Sequence, residues 1–394
     1  MKKILALLMA MIMLLSLAAC GGSKDKKDGD DGTTAAGEQK LDYANLTADD
    51  LIAKFIKDQT NITLDEYVAL VSTLSYVKIT DDLDLEENIT EEAIDKLDDN
   101  DAVFPAPKEY IPVLIKNEAP QVRGYAISHV GSIFGVSEED RTTVKNILKT
   151  EKEPYVLRCA VDALANEGAE DADIGQFLLD MAKHENPYVR EEAAFALGNS
   201  WNRGLDGAVD AIITLMSDSN DDVRDAAYRY AGKLNDEKII DPIVKMLKNP
   251  DESKFHASGV QSLVTLWYDY PFHENTSEKA YRATMDYLKT KPASNNVPAW
   301  TAITSFESKA SDKFENWLAK ATYFDTNEIA QVMTDIVKNP DVNWLGRTGA
   351  VKMIAVHCSK DAFTALGKVV NGLTDDNAQF IKDEYNKQAE SLNK

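Results

Sequence analysis

A short motif recurs along this chain every 33 or 34 residues. Its four clearest copies are Pro120-Gln121-Val122-Arg123, Pro154-Tyr155-Val156, Pro187-Tyr188-Val189-Arg190 and Asp221-Asp222-Val223-Arg224. Each copy runs into an alanine, at Ala126, Ala160, Ala193 and Ala227. A fixed period of this length predicts stacked helical repeats, because one helix pair cannot bury its apolar face alone. Such arrays present long binding surfaces, which favours binding over catalysis as the function.

The first twenty residues have the pattern of a targeting segment. Lys2 and Lys3 precede an apolar core, residues 4–17, which is shorter than the roughly 20 residues of a transmembrane helix. The following Leu17-Ala18-Ala19-Cys20 resembles the lipobox of bacterial lipoproteins. The resemblance implies a signal peptide over residues 1–19 and a diacylglycerol on Cys20, which would anchor the protein to the outer face of the cytoplasmic membrane. A plain secretory signal, cleaved near the same small residues, is the alternative.

The next segment and the overall charge limit the partners. Residues 21–40 contain no large apolar side chain, so residues 20–40 are predicted to be the lipidated cysteine and a disordered tether. The whole chain has a formal net charge of -23. This charge repels nucleic-acid phosphates and anionic lipid headgroups, so we expect neither as a binding partner. No cofactor is predicted.

Residues 41–103 lack the repeat and are predicted to form an N-terminal helical cap. Capping signals and apolar stripes place one helix after residue 47 and a second over residues 63–76. The acidic segment, residues 81–101, holds eleven Asp and Glu side chains against Lys96 alone. A calcium site and a solvated acidic loop are the two interpretations. The spacing does not match an EF-hand, which favours the loop.

Two repeats carry enough detail for a family resemblance. Residues 177–198 and 212–232 each show an apolar first helix, a polar turn, and a second helix with the valine, arginine and alanine positions. Both resemble HEAT repeats of the short, bilin-lyase-like type. The resemblance implies an all-α fold, an α-solenoid (superhelix) of about seven to eight HEAT-like helix pairs over residues 104–394. It also implies an arginine ladder with Arg123, Arg190 and Arg224, from which Arg158 is offset by one residue.

The resemblance further implies where a partner would bind, since second helices line the concave face of HEAT arrays. Positions two residues before and after the core alanine point outward there. These positions hold Arg158, Asp162, Glu191, Phe195, Asp225 and Arg229. A phenylalanine beside arginine and carboxylates is typical of a protein-binding hot spot. The alternative is that Phe195 tucks under the next repeat and the charges are simply solvated.

An aromatic stretch interrupts the period at residues 267–274. It contains Trp267, Tyr268, Tyr270 and Phe272, and insertions in repeat arrays often form loops on the binding face. These rings would stack on a sugar or a peptide. Alternatively, Trp267 and Phe272 close the core around a longer corner. Trp201, near a helix end, is expected to plug the core.

The sequence contains no catalytic constellation that we recognise. It has no nucleophile elbow, zinc-binding helix, phosphate-cradling glycine loop or Cys-x-x-Cys pair. Cys159 and Cys358 are expected to be buried, unpaired thiols. The leading hypothesis is therefore a non-enzymatic, membrane-anchored scaffold that binds a protein or peptide along the concave face. The alternative is an extracellular lipoprotein that captures a glycan or peptide through residues 267–274.

Overall fold

The computed structural model describes residues 48–57, 63–65, 68–69, 78–86, 111–132, 138–268, 276–290 and 321–392. The predicted signal peptide, Cys20 and the tether lie outside these residues. The chain divides into two compact units, residues 1–164 and 165–394. This division falls inside the predicted 104–394 array.

The described part of the first unit contains a short helix, a β-hairpin and two helix pairs. The elements are α1 (Ala48–Lys57), β1 (Lys78–Ile79), β2 (Leu85–Glu86), α2 (Ile111–Leu114), α3 (Pro120–Ser132), α4 (Glu138–Leu148) and α5 (Pro154–Ala163). The two strands are antiparallel, with Lys78 opposite Glu86 and Ile79 opposite Leu85.

The hairpin is a difference from the predicted helical cap. The Thr80 hydroxyl donates to the Asp84 carbonyl at 2.9 Å and accepts from the Asp84 amide at 3.0 Å. Leu83 has a left-handed conformation, with φ of 60°, and buries its side chain in this turn. Local bonds between a threonine side chain and the backbone compete with a helix, so residues 78–86 turn back instead. The rest of the acidic segment, residues 87–101, lies outside the described residues.

The second unit continues the helix pairs. Its helices are α6 (Ala172–Met181), α7 (Pro187–Leu197), α8 (Ala208–Leu215), α9 (Asp221–Tyr230), α10 (Ile240–Leu247), α11 (His256–Tyr268), α12 (Glu278–Lys289), α13 (Thr326–Lys338), α14 (Trp344–His357), α15 (Lys360–Asn371) and α16 (Ala378–Leu392). Short 3-10 turns cover Ser200–Asn202, Ala231–Leu234, Glu237–Ile239 and Pro250–Phe255. Counting both units, seven helix pairs are complete within the described residues.

The turn inside each pair starts the second helix by capping. The Asn186 side chain accepts from the Tyr188 amide at 2.9 Å, and the Asn220 side chain accepts from the Asp222 amide at 2.8 Å. Pro154 and Pro187 stand at the start of their helices, where a missing amide proton costs no hydrogen bond. The recurring Asn/Asp and proline signal therefore has a local structural cause.

Second helices of successive repeats pack side by side. In the first unit α3 packs on α5, and in the second α7 packs on α9 and α9 on α11. The motif valines and alanines are all completely buried: Val122, Ala126, Val156, Ala160, Val189, Ala193, Val223 and Ala227. The period thus places one valine and one alanine in the core of each repeat. The predicted all-α solenoid fold is confirmed.

Both cysteines of the described residues are unpaired thiols. Burial raises the pKa of Cys159 to about 11 and that of Cys358 to about 12. Both thiols are therefore protonated and weakly nucleophilic at neutral pH. Among the helices of the described residues, none has the length and apolar character needed to cross a membrane.

Candidate functional site

Arg190 on α7 joins two neighbouring repeats through its whole guanidinium group. Its Nε and Nη2 each donate to a carboxylate oxygen of Asp218 at 2.8 Å. Its Nη1 donates to the carbonyls of His184 and Glu185 at 2.8 and 2.9 Å. Asp218 belongs to the turn between α8 and α9, one repeat later. The hydrogen bonds from Arg190 hold the pKa of the Asp218 carboxyl below its usual range.

The other two predicted ladder arginines bridge in the same way, always to a carboxylate 28 residues later. In the first unit Arg123 Nε donates to Glu151 at 2.8 Å, and its Nη1 donates to two carbonyls of its own turn. In the second unit Arg224 Nη2 donates to Glu252 at 2.7 Å. The Arg224 guanidinium also lies over the Phe255 ring, 4.4 Å from its centroid.

A fourth such bridge was not predicted as part of the ladder. Arg347 on α14 donates to both oxygens of Asp375 at 2.7 and 2.9 Å, again over 28 residues. Its Nε donates to the Val337 carbonyl at 2.9 Å, and its side chain is fully buried. The signal was present in the sequence, since Asn339-Pro340-Asp341 precedes Arg347 as a late copy of the turn.

Arg123, Arg190 and Arg347 use their guanidinium donors inside the protein. Arg224 reaches Glu252 through one nitrogen, and its buried Nε has no hydrogen-bond partner among the described residues. A bidentate guanidinium–carboxylate pair is a strong, oriented contact, and here it locks the turn of one repeat to the turn of the next. The ladder is therefore a structural element. A ligand site has to be sought on other surfaces.

The outward positions of the second helices form a candidate binding face in the second unit. We define this α7–α9 face by Glu191, Phe195, Asp225 and Arg229. The Phe195 ring is half-buried and meets Tyr230 edge-on, with centroids 5.0 Å apart. Asp225 forms an ion pair with Arg229 along α9 and accepts from Ser258 Oγ on α11 at 2.5 Å. The face therefore combines a partly exposed ring with an ion pair, and Phe195 is neither fully exposed nor fully covered by the next repeat.

The two predicted positions of the first unit lie on α5. Arg158 Nη1 lies 3.3 Å from Asp84 Oδ1 and donates to the Leu83 carbonyl at 3.3 Å. The arginine thus holds the hairpin turn within this unit. Asp162, one helical turn further along α5, is exposed.

The structure places Trp267 and Tyr268 in the core, which corrects the expectation of an exposed aromatic insertion there. Both end α11, and Trp267 is only 1% exposed. Its Nε1 donates to Thr284 Oγ1 at 3.1 Å, and the Tyr268 hydroxyl lies 2.9 Å from His357 Nε2. Packing of α11 against its neighbours explains this burial, which the core-closing alternative describes for Trp267. Tyr270 and Phe272 lie outside the described residues.

Trp201 is the opposite case, because it was expected in the core and is 64% exposed. It lies in the 3-10 turn Ser200–Asn202. Its polar and glycine neighbours, from Asn199 to Gly207, were the sequence signal for a loop. Trp344 and Phe380 are also exposed, and their rings stack with centroids 5.0 Å apart.

Nothing in the described residues points to a metal centre. No group of three or more His, Cys, Asp or Glu side chains in this part of the chain is arranged to hold a metal ion.

Comparisons with known proteins concern the repeats. No curated protein matches the chain. Two crystal structures of engineered proteins from the Northeast Structural Genomics Consortium resemble it loosely. One has 13% identity and a TM-score of 0.36, covering 87% of this chain and 99% of its own. The other has 15% identity and a TM-score of 0.26, covering 72% and 97%. Residues 175–264 match the family model of HEAT repeats, a family that generally forms non-catalytic scaffolds for protein interactions.

Proposed function

We propose that this protein is a non-enzymatic scaffold that holds a protein or peptide on the α7–α9 face. We also propose that it is a lipoprotein, anchored through Cys20 to the outer face of the bacterial cytoplasmic membrane. The binding proposal and the anchoring proposal rest on different residues and are tested separately.

The observation that carries the binding proposal is the regular spacing of outward residues on second helices that pack side by side. Glu191 and Asp225 hold equivalent positions 34 residues apart, and so do Phe195 and Arg229. The contact between the Phe195 and Tyr230 rings joins α7 directly to α9. Equivalent positions on neighbouring helices make one continuous surface, which suits an extended partner. Arg158 and Asp162 hold the same positions on α5 of the first unit.

The chemistry of the face favours a protein over a small ligand. A half-exposed aromatic ring is the kind of anchor that dominates protein interfaces. The neighbouring Asp225 and Arg229 form an ion pair in the free protein. At the polar rim of an interface, each can pair with a charged group of the partner instead. The charges would then contribute mainly to specificity and to the rate of association.

The test is affinity capture with the full chain in detergent, from solubilised membranes and cell-wall fractions, read by mass spectrometry. Two variants address the face: Arg229→Glu, which places two carboxylates together, and the exchange Asp225→Arg with Arg229→Asp, which restores a local pair. A partner bound by this face is lost with the first variant. It is recovered only partly with the exchange, because the charges are reversed toward the partner.

Lys245→Glu is the matched control, because Lys245 is exposed on α10, a first helix, and this change lowers the net charge by two, as Arg229→Glu does. Equal capture by the wild type and by Arg229→Glu would contradict the proposed binding face. Thermal melting of each variant checks that the repeats remain folded.

The anchoring proposal is tested at the cysteine itself. Mass spectrometry of the N-terminal peptide from membranes is expected to show cleavage before Cys20. It should also show a diacylglycerol, a glycerol with two ester-linked acyl chains, attached to the Cys20 sulfur. Cys20→Ser should release the protein from the membrane fraction, because stable anchoring requires the acyl chains. An unmodified Cys20 in the mature protein would contradict lipidation.

A further inference from the structure

Trp201 is the most exposed of the large apolar side chains in the described residues, at 64%. A single exposed apolar side chain is ordinary on a protein surface. What distinguishes Trp201 is that its loop, residues 198–207, is held in one conformation by buried polar contacts. A rigid, exposed aromatic ring is costly to keep in water and is typical of binding hot spots.

Asn202, the residue after Trp201, is fully buried and anchors the loop. Its Nδ2 donates to the Ala165 and Ala196 carbonyls at 2.6 and 2.8 Å. Its Oδ1 accepts from the Ala169 amide at 3.2 Å. This one side chain therefore fastens the Trp201 loop to the end of α7 and to the loop of the preceding repeat, residues 165–171.

The other side of Trp201 is fastened as well. Asn199 Oδ1 accepts from the Trp201 amide at 3.2 Å, and Asn199 Nδ2 donates to Asn166 Oδ1 at 2.8 Å. Further on, Arg203 Nε donates to the Lys233 carbonyl at 2.6 Å, and Gly204 and Gly207 take the positive φ of 89° that the turn requires. Because the backbone is fixed on both sides, little ordering entropy remains to be lost on binding.

The loop tied to Trp201 is acidic. Residues 165–171 contain Glu167, Glu170 and Asp171 and no lysine or arginine. Hydrogen bonds to Asn199 and Asn202, on either side of Trp201, join the acidic loop to the Trp201 loop. A cation over an indole face is attracted by the ring quadrupole. The chain's net charge of -23 steers cations toward such a site.

We infer that Trp201, next to the acidic loop that carries Glu167 and Glu170, is a docking site for a lysine- or arginine-bearing peptide segment of a partner protein. The cationic group stacks on the indole ring, and the carboxylates balance its charge. This site lies on the loops between repeats and uses none of the residues of the α7–α9 face. It therefore stands or falls independently of the proposed function.

The test measures binding of a fluorescent eight-residue peptide of alternating glycine and arginine to the full chain in detergent. Trp201→Ala leaves the net charge unchanged, so non-specific attraction to an acidic protein is the same in both chains. The expected result is about 5-fold weaker binding of the peptide by Trp201→Ala. Trp201→Phe retains an aromatic ring, so it should weaken peptide binding only about half as much. Glu170→Gln should also weaken binding.

Trp344→Ala is the matched control, because it removes another exposed indole without touching this loop. It should bind the peptide like the wild type. Melting curves should be unchanged for Trp201→Ala, since the ring contributes little to the core. Equal affinity of wild type and Trp201→Ala, or no binding of the peptide to either, would overturn the inference. Binding of a neutral N-acetylglucosamine tetramer that depends on Trp201, without peptide binding, would also overturn it in favour of a saccharide site.

Discussion

At the residue scale, the repeating arginine bridge links one turn to the next across an interval of 28 residues. Arg123, Arg190, Arg224 and Arg347 each meet an acidic partner at that distance along the chain. These four arginines differ in burial: Arg347 is completely enclosed, and the other three are partly exposed. A buried guanidinium has no access to water. Removing either the Asp375 carboxylate or the Arg347 side chain should therefore lower the free energy of unfolding more than the same change at the other bridges.

Arg347→Leu is expected to lower the free energy of unfolding of the second unit by about 3–5 kcal/mol, because it leaves the Val337 carbonyl and Asp375 without their donor. Urea unfolding followed by far-ultraviolet circular dichroism measures the change. Lys338→Ala is the control, since Lys338 is exposed and, among the described residues, its ion pair is with Asp335 on its own helix. A loss for Arg347→Leu no larger than that of the control would contradict the structural role of the bridge.

The same bridges predict how stability depends on pH. Hydrogen bonds from Arg190 and Arg347 lower the pKa of Asp218 and Asp375 in the folded chain. In the unfolded chain both carboxyls return to about 4. Their contribution is therefore complete above about pH 4 and is lost as the pH falls through the lower folded values.

Asp218→Asn should accordingly be less stable than the wild type at pH 6, and the difference should shrink as the pH falls below about 4. Urea unfolding at pH 6, 4 and 3 measures this. A difference that stays constant over that range would show that the charge of Asp218 contributes nothing. Asp180→Asn, on an exposed helix surface, controls for the general effect of removing one carboxylate.

The arginine positions could be predicted from the motif, and the family resemblance implied turn acids and carbonyls of neighbouring repeats as partners, but which acid each arginine meets could not be predicted. Glu151, Asp218, Glu252 and Asp375 stand in turns of variable sequence, and only the stacking of repeats brings each within 3 Å of a guanidinium. The burial of Trp267 and the exposure of Trp201 could not be predicted from the sequence either. Burial of a tryptophan depends on which helices close over it, which the local sequence does not specify.

At the scale of elements, close contact between successive second helices depends on a small residue at the end of each. A Cβ on Gly232 would lie 2.8 Å from the Ser262 Cα and in contact with the Ser262 carbonyl oxygen on α11. The Gly232 amide also donates to Ser262 Oγ at 2.9 Å. Gly232 is therefore a packing requirement between neighbouring repeats.

Gly232→Ala is expected to destabilise the second unit by about 1–3 kcal/mol, because backbone on both sides has to separate. Gly372→Ala is the matched control. Gly372 is exposed at the end of α15 with a helical backbone, and a Cβ there meets only carbonyl oxygens 3.4 and 3.6 Å away. Thermal unfolding compares the two, and equal melting temperatures would contradict the close-packing argument.

Element starts were the most predictable part of the fold. Asparagine caps and first-turn prolines are local, so they read directly from the sequence. The hairpin at residues 78–86 was not predicted, because the burial of Leu83 and the contacts of Arg158 that hold it come from elsewhere in the first unit.

At the scale of the whole molecule, a net charge of -23 works against compaction. Self-repulsion is weakened by salt over a Debye length of about 10 Å at 0.1 M ionic strength. The melting temperature is therefore expected to rise by a few degrees between low and moderate sodium chloride. A fall in melting temperature would mean that the ion pairs outweigh the repulsion.

Divalent cations separate screening from chelation by the acidic segment, residues 81–101. Calcium and magnesium chloride at equal concentration should raise the melting temperature equally if that segment is a solvated loop. A larger rise with calcium would contradict the loop and support a site selective for the larger ion.

The repeat, the helix starts, the valine and alanine core of each pair and the arginine positions could all be predicted from the amino-acid sequence. These follow from periodicity and capping, which act over a few residues. The folded structure was needed to show which carboxylate meets each arginine, that Trp267 is buried and Trp201 exposed, and that residues 78–86 form a hairpin. Those outcomes depend on contacts between segments far apart in the chain, whose free energies no local pattern encodes.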